Sequence, residues 1–141
     1  EKFTLFEEST RVPLMFIVPG VTRPGLTCKR PVSLLDVYQT LNELCGLPGR
    51  DDLDGESLVP LLKNPEAKRE HPAITTWGRG SHSIRTQRWR YIHHANGSEE
   101  LYDHQADPDE FTNLVSSQPE KSGPIVKQLK NWLPEANRRG K

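Results

Sequence analysis

The apolar run Leu14-Met15-Phe16-Ile17-Val18 most constrains what this chain can become. Pro13 bounds it on one side and Pro19-Gly20 on the other, so it is too short for a helix of ordinary length. Five consecutive apolar residues between such breakers read as a strand covered on both faces. Nothing downstream obviously supplies two covering layers. The stretch Glu1 to Pro13 before it carries neither an initiator methionine nor a signal peptide. The expectation is therefore the back part of a larger protein.

Downstream, the hydrophobic period divides the chain in two. Ser33 suits an N-cap with Asp36 as its reciprocal partner three residues on, and Val32 and Val37 take the staple positions. Leu34, Val37, Tyr38, Leu41, Leu44 and Cys45 follow at helical spacing, so a packing helix is expected over 34–45. Gly46 provides its left-handed stop and Pro48 forbids continuation. Residues 51 to 70 read as a polar surface loop around the apolar island Leu58 to Leu62. From Pro72 the period changes towards two, giving strands at 73–77, 82–86, 89–94 and 99–103. Asn96-Gly97 marks a two-residue hairpin with positive φ at both central positions. Trp89, Tyr91 and His93 should share one sheet face and Ile92 the other. A last amphipathic helix over about 121–133 carries Ile125, Leu129, Trp132 and Leu133, and Pro134 ends it.

Composition narrows the function classes. Only 33% of the 141 residues are apolar, with 10 Gly and 12 Pro and a mean hydropathy of −0.72. A loop-rich lobe of a larger protein fits this better than an autonomous, richly packed fold. Nineteen basic residues balance nineteen acidic ones, so no field draws in nucleic acid or anionic lipid. No apolar stretch approaches the ~20 residues of a membrane helix. Cys28 and Cys45 permit one disulfide without establishing it, and Cys45, on the apolar stripe, reads as a buried thiol.

The chain also resembles a known family. Lys2-Phe3-Thr4-Leu5-Phe6-Glu7-Glu8-Ser9-Thr10-Arg11-Val12-Pro13-Leu14, then Pro19-Gly20, is similar to the segment opening the C-terminal third of sulfatases, in the iduronate-2-sulfatase-like branch. The resemblance continues through Arg30-Pro31-Val32-Ser33-Leu34-Leu35-Asp36-Val37-Tyr38, Leu44-Cys45-Gly46-Leu47-Pro48 and Leu53-Asp54-Gly55-Glu56-Ser57-Leu58. It resumes at Ser83-Ile84-Arg85-Thr86, Trp89-Arg90-Tyr91-Ile92, Glu99-Glu100-Leu101-Tyr102-Asp103 and Asp107-Pro108. The blocks stand in family order over roughly residues 1–115, whereas 116–141 is weakly diagnostic.

The resemblance implies an α/β class, as an α+β fragment: the C-terminal part of an alkaline-phosphatase-like sulfatase fold. Residues 1–70 would close the large α/β domain with strand 14–18 and helix 34–45. Residues 71–141 would form a C-terminal subdomain, with an antiparallel meander over 73–103 and the last helix. The parent enzyme would hydrolyse sulfate esters, on glycans, with a formylglycine nucleophile and calcium bound upstream of this chain. No cofactor is expected in the chain itself, and the fragment alone should be inactive. Its partners would be the N-terminal catalytic part and a sulfated small molecule or glycan, in an extracytoplasmic compartment.

Lys2 is the catalytic candidate. The resemblance gives it contact with the sulfate group, and an ammonium suits charge building on sulfuryl and leaving oxygens. Taken alone it is a solvated lysine near a chain end. Trp77, Arg79 and His82 are the substrate-binding candidates: a guanidinium forks onto carboxylate or sulfate, and an indole stacks on a sugar ring. The plainer account is a hairpin turn with incidental charges. Arg85, Arg90, Tyr91, Tyr102 and Asp103 read as cross-strand packing and ion pairs. His93 and His94 point to opposite strand faces, and with His104 they give no metal site of supporting spacing. Cys45-Gly46-Leu47-Pro48-Gly49-Arg50 mimics the family's Cys-x-Pro-x-Arg nucleophile motif with one residue too many, at the wrong end of a helix. Two alternatives stand beside this reading: a phosphodiesterase or phosphonate hydrolase of the same superfamily, and a non-catalytic sugar- or protein-binding module.

Overall fold

A computed structural model describes residues 4–134 of the chain. The described residues fall into two compact units, one of 4–12 with 72–134 and the other of 13–71. Among the described residues, no helix is long and apolar enough to cross a membrane.

The first unit is a four-stranded antiparallel sheet in the order β1-β2-β3-β4. The strands are β1 (Ala73–Trp77), β2 (Ser81–Arg85), β3 (Trp89–His93) and β4 (Glu99–Asp103). Period-two patterning puts alternate residues on two faces. On one, Ile84, Tyr91 and Leu101 are fully buried against Val126, Leu129 and Leu133 of the C-terminal segment, and Trp89 packs beside them. On the other, Ile92 and Tyr102 bury Leu5. Both faces are thus covered, and the expected split of Tyr91 from Ile92 is what the sheet shows.

The β3–β4 connection corrects the turn expectation. Gly97 has φ +86°, but Glu110 is the positive-φ non-glycine residue among those described, so Asn96 lies elsewhere. Gly97 N–H donates to His94 O at 2.9 Å and His94 N–H to Ser98 O at 3.0 Å. The loop is a three-residue one, a turn followed by a left-handed glycine, because only one position needs positive φ. After β4, α4 (Leu114–Ser117) is capped by the Asn113 side chain accepting from Val115 N–H at 2.9 Å. The same oxygen accepts from Leu101 N–H, which joins α4 to the sheet. Then α5 (Pro119–Leu129) starts on a proline and passes into a 3-10 turn at Lys130–Trp132. A short helix, α1 (Glu7–Thr10), belongs to this unit too.

The second unit contains α2 (Asp36–Leu44) and α3 (Val59–Lys63). Half of the expected capping box forms: Ser33 N–H donates to Asp36 Oδ2 at 2.7 Å, but Ser33 Oγ accepts from Leu35 N–H rather than from Asp36, and the helix begins at Asp36 with Leu35 at its N-cap. At the other end Gly46, at φ +67°, donates to Glu43 O and Leu47 N–H to Asn42 O, a Schellman stop.

Two apolar stretches of this unit are uncovered. Residues 14–18 join no sheet among the described residues, and Met15 and Ile17 are 87% and 92% exposed. A strand exists only through a partner's hydrogen bonds, and this unit offers none. Likewise the apolar stripe of α2 is open, with Leu34 65% and Leu41 50% exposed, while Asp36 and Thr40 are buried. Cys45 follows the stripe and is exposed; it and Cys28 are both free thiols.

The polar face of α2 is the packed one for a structural reason. Asp36 accepts from Ser33 N–H, from Glu56 N–H at 2.9 Å and from the Arg69 guanidinium at 2.8 Å. Thr40 Oγ1 donates to Asp36 O and accepts from Leu58 N–H at 2.8 Å. The helix thereby holds the backbone of the 55–58 loop, whose carbonyls and amides need such partners. Gly55 approaches so closely that a Cβ there would stand 2.2 Å from Leu35 O.

Candidate functional site

The first unit concentrates charge on the sheet face that carries Ile92. Arg90 is 1% exposed, and a buried guanidinium must have all its donors occupied. Its Nε meets the Glu110 carboxylate and its Nη2 the Glu7 carboxylate. Its Nη1 donates to Leu5 O at 2.9 Å and to Ser83 Oγ at 2.6 Å. Arg85 Nε reaches Glu7 at 3.1 Å, His104 Nε2 lies 2.7 Å from Glu110, and Glu7 N–H donates to Glu110 at 2.8 Å. Cross-strand ion pairing was the expected role of Arg85 and Arg90. The carboxylates they find come from outside the sheet, from the first residue of α1 and the loop after β4.

Electrostatics follow the geometry. Burial works against ionisation of Glu7, but the Arg85 and Arg90 guanidiniums overcome it and hold the carboxyl below its ordinary value. Burial depresses Arg85. Glu7, His104 and Glu110 bring one ligand atom each within 4.8 Å of one another. The set does not fit the calcium of the resembled family. That ion takes six to eight oxygens, whereas here two guanidiniums and an amide already occupy the carboxylates.

The substrate-binding candidates lie at the β1–β2 turn. Gly78 and Gly80 take φ +59° and +91°, which lets a three-residue turn lift Arg79 into solvent. Trp77, at the end of β1, is 49% exposed. His82 is different: it is only 6% exposed, and Thr76 Oγ1 lies 2.9 Å from its Nδ1. In the register Trp77 pairs with Ser81 and Thr76 with His82, so Trp77 and His82 occupy opposite faces. Trp77 and Arg79 are both exposed, whereas His82 is buried on the opposite face. Burial first, and then the neighbouring His93, lower the His82 pKa and favour the neutral ring. Lys2 lies outside the described residues.

His94 and His104 each face a carboxylate, Glu100 at 2.9 Å and Glu110 at 2.7 Å. Tyr91 hydroxyl donates to Glu99, which also takes Lys130 at 2.7 Å. Burial works against the Glu99 charge, and the Lys130 and Tyr91 bonds still hold its pKa low. Sequence reasoning missed Glu7 and Glu110 as the partners of Arg90. Glu110 gave no signal, being one acidic residue in an acidic loop.

A family model described as "N-sulphoglucosamine sulphohydrolase, C-terminal" matches residues 1–139. A sulfatase of Formosa agariphila is 35% identical over 136 residues, covering 96% of this chain and 26% of the relative. Arylsulfatase K of Homo sapiens is 35% identical over 134 residues, 84% of this chain and 25% of the relative. Among solved structures, a 2-O GAG sulfatase has a TM-score of 0.52 and 29% identity, covering 66% of this chain and 22% of that one. The phosphonate monoester hydrolase of Agrobacterium radiobacter has a TM-score of 0.53 and 25% identity, again over 66% and 22%. The chain spans about a quarter of the length of the relatives it matches.

Proposed function

The chain belongs to the sulfatases, as a C-terminal sulfatase domain, and from that premise we propose that the protein containing it hydrolyses sulfate esters of glycans. The match across residues 1–139 carries the reading, and likeness to a 2-O GAG sulfatase points it towards sulfated sugars.

In this proposal Lys2 places its ammonium against the sulfate group. Cleavage of the ester moves an electron pair onto the leaving oxygen, and a fixed cation there stabilises the transition state more than the ground state. Trp77 and Arg79 form part of the cleft wall, the indole under a sugar ring and the guanidinium on a carboxylate or sulfate. His82 braces that turn from beneath through Thr76. The formylglycine nucleophile and the calcium that neutralises sulfuryl charge belong to residues upstream of this chain. The open face of residues 14–53 is proposed to meet that upstream part. The extracytoplasmic compartment follows from the family in the same way.

Assay of the full-length protein on paired aryl sulfate and phosphate esters, and on sulfated disaccharides, tests this. Sulfate turnover is expected, with the purified 141-residue chain inactive. Preference for the phosphate or phosphonate member would favour the second reading, which the Agrobacterium radiobacter likeness supports. Turnover of neither would leave the non-catalytic module.

A further inference from the structure

The loop between β3 and β4 holds one asparagine side chain folded back along its own backbone. Asn96 Oδ1 accepts from Ser98 N–H at 2.9 Å and from the Ser98 hydroxyl at 2.7 Å. An oxygen bonded two residues ahead keeps the side-chain amide over the peptide unit in between, whose nitrogen belongs to Gly97. Asn96, Gly97 and Ser98 are all exposed, and the space where a Gly97 Cβ would stand is open. Gly97 N is thus a nucleophile held beside an electrophile, with no side chain of its own in the way. The two Ser98 donors matter as well. Attack of Gly97 N on Asn96 Cγ moves charge onto Oδ1, and donors already aimed at that oxygen stabilise the charge as it forms. Gly97 N–H first gives up its bond to His94 O, at 2.9 Å. That is a single neutral hydrogen bond at an exposed loop, a small cost beside the gain from proximity.

A second observation ties this loop to its neighbour. Ala95 N–H donates to Ser81 Oγ at 3.0 Å, and Ser81 opens β2 directly after Gly80. One step further in, His93 pairs with His82 across β2 and β3. The β3–β4 loop and the β1–β2 turn that carries Trp77 and Arg79 therefore adjoin at the same end of the sheet.

We propose that Asn96 and Gly97 form a self-modification site whose product alters the turn carrying Trp77 and Arg79. Gly97 N bonds to Asn96 Cγ, the Gly97 proton passes to solvent, and Nδ2 takes up a proton and leaves as ammonia. The cyclic imide that results adds water at either of its carbonyls. Opening at Cγ leaves aspartate. Opening at the backbone carbonyl leaves isoaspartate, with an extra methylene in the main chain. Both products put a carboxylate on the loop, and the longer main chain of isoaspartate displaces the bonds from Ala95 to Ser81 and from His94 to Ser98. The new charge opposes an anionic ligand at Arg79, a consequence that rests on the cleft-wall role proposed for that residue.

The test incubates the full-length protein at mildly alkaline and mildly acidic pH, and reads the product by peptide mass and by isoaspartyl methylation. The peptide containing Asn96 is expected to exchange NH for O, faster in alkali, as a mixture of aspartate and isoaspartate. Ser98→Ala should slow the conversion about fivefold, the worth of one hydrogen bond to the developing charge. Asn96→Gln, whose longer side chain closes the ring far less readily, should abolish it. In the modified protein the amides of residues 78–82 should exchange faster than in Asn96→Gln treated alike. If Asn96 stays intact in the folded protein under conditions that convert a free peptide of residues 93–99, the loop protects it and the proposal fails. A Ser98→Ala rate equal to or above wild type, or unchanged exchange at 78–82, overturns it too. None of these readouts uses turnover, so the sulfatase reading stands or falls separately, on the ester assays.

Discussion

The two units differ in how fully they cover their apolar residues. In the sheet unit Ile84, Tyr91, Ile92 and Leu101 are fully buried, and a charge cluster is buried among them. In the unit of residues 13–71, Asp36 and Thr40 are buried at 1% and 0%, while Met15, Ile17 and Leu34 face solvent. One unit has completed its core. The other buries Leu58, Val59 and Leu61 beside a hydrogen-bonded carboxylate and leaves its α2 stripe uncovered.

The largest expected effect tests the sheet unit. Arg90→Ala leaves Glu110 buried without its guanidinium and should cost about 3–5 kcal/mol, read by denaturant unfolding and by loss of amide protection in β1–β4. A cost below about 1 kcal/mol would mean the cluster is solvated and the contrast overstated.

Asp36→Ala is the counterpart in the other unit. It removes the acceptor for Ser33 N–H, Glu56 N–H and Arg69 at once. A loss of about 2–3 kcal/mol is expected, with amide exchange of α2 and of residues 55–58 accelerated. Unchanged exchange there would show that something other than this carboxylate holds the unit.

Acid sharpens the comparison further. Glu7 has a folded pKa below its ordinary value, so the unfolded chain binds its proton more readily. Its contribution is fully present above the ordinary carboxylate range and is lost as pH falls through the depressed folded value. Unfolding of the sheet unit should therefore steepen below about pH 4, and Glu7→Gln should flatten that dependence. An equal slope in wild type and variant would remove Glu7 from the account.

The smallest effect lies on the open stripe. Leu34→Ser should change the stability of the 141-residue chain by no more than about 0.5 kcal/mol, while lowering its binding of an apolar dye. A loss several times larger would show that the stripe is covered after all.

How far these features were legible depended on where their causes lie. The four strands, the Ser33 N–H bond to Asp36 and the stop at Gly46 depend on neighbours within a few residues, and their patterns are readable in the sequence. The Asn96-Gly97 turn was located correctly with the wrong geometry, because one extra residue entered the loop. Residues 14–18 and the α2 stripe share one lesson: hydrophobic period says which residues want cover, not whether this chain supplies it. The Trp77–His82 stretch was read as one cluster because strand alternation across the turn was not applied to it.

By itself the sequence determined the four strands, the two faces of the sheet and the family. Each follows from residue type and spacing along the chain. Only tertiary structure decided that Arg90 would be enclosed by Glu7 and Glu110, 83 and 20 residues away. It also decided that α2 would bury its acid rather than its leucines. The reason is physical: buried charge must find partners wherever the folded backbone brings them, and no periodicity records a meeting between distant segments.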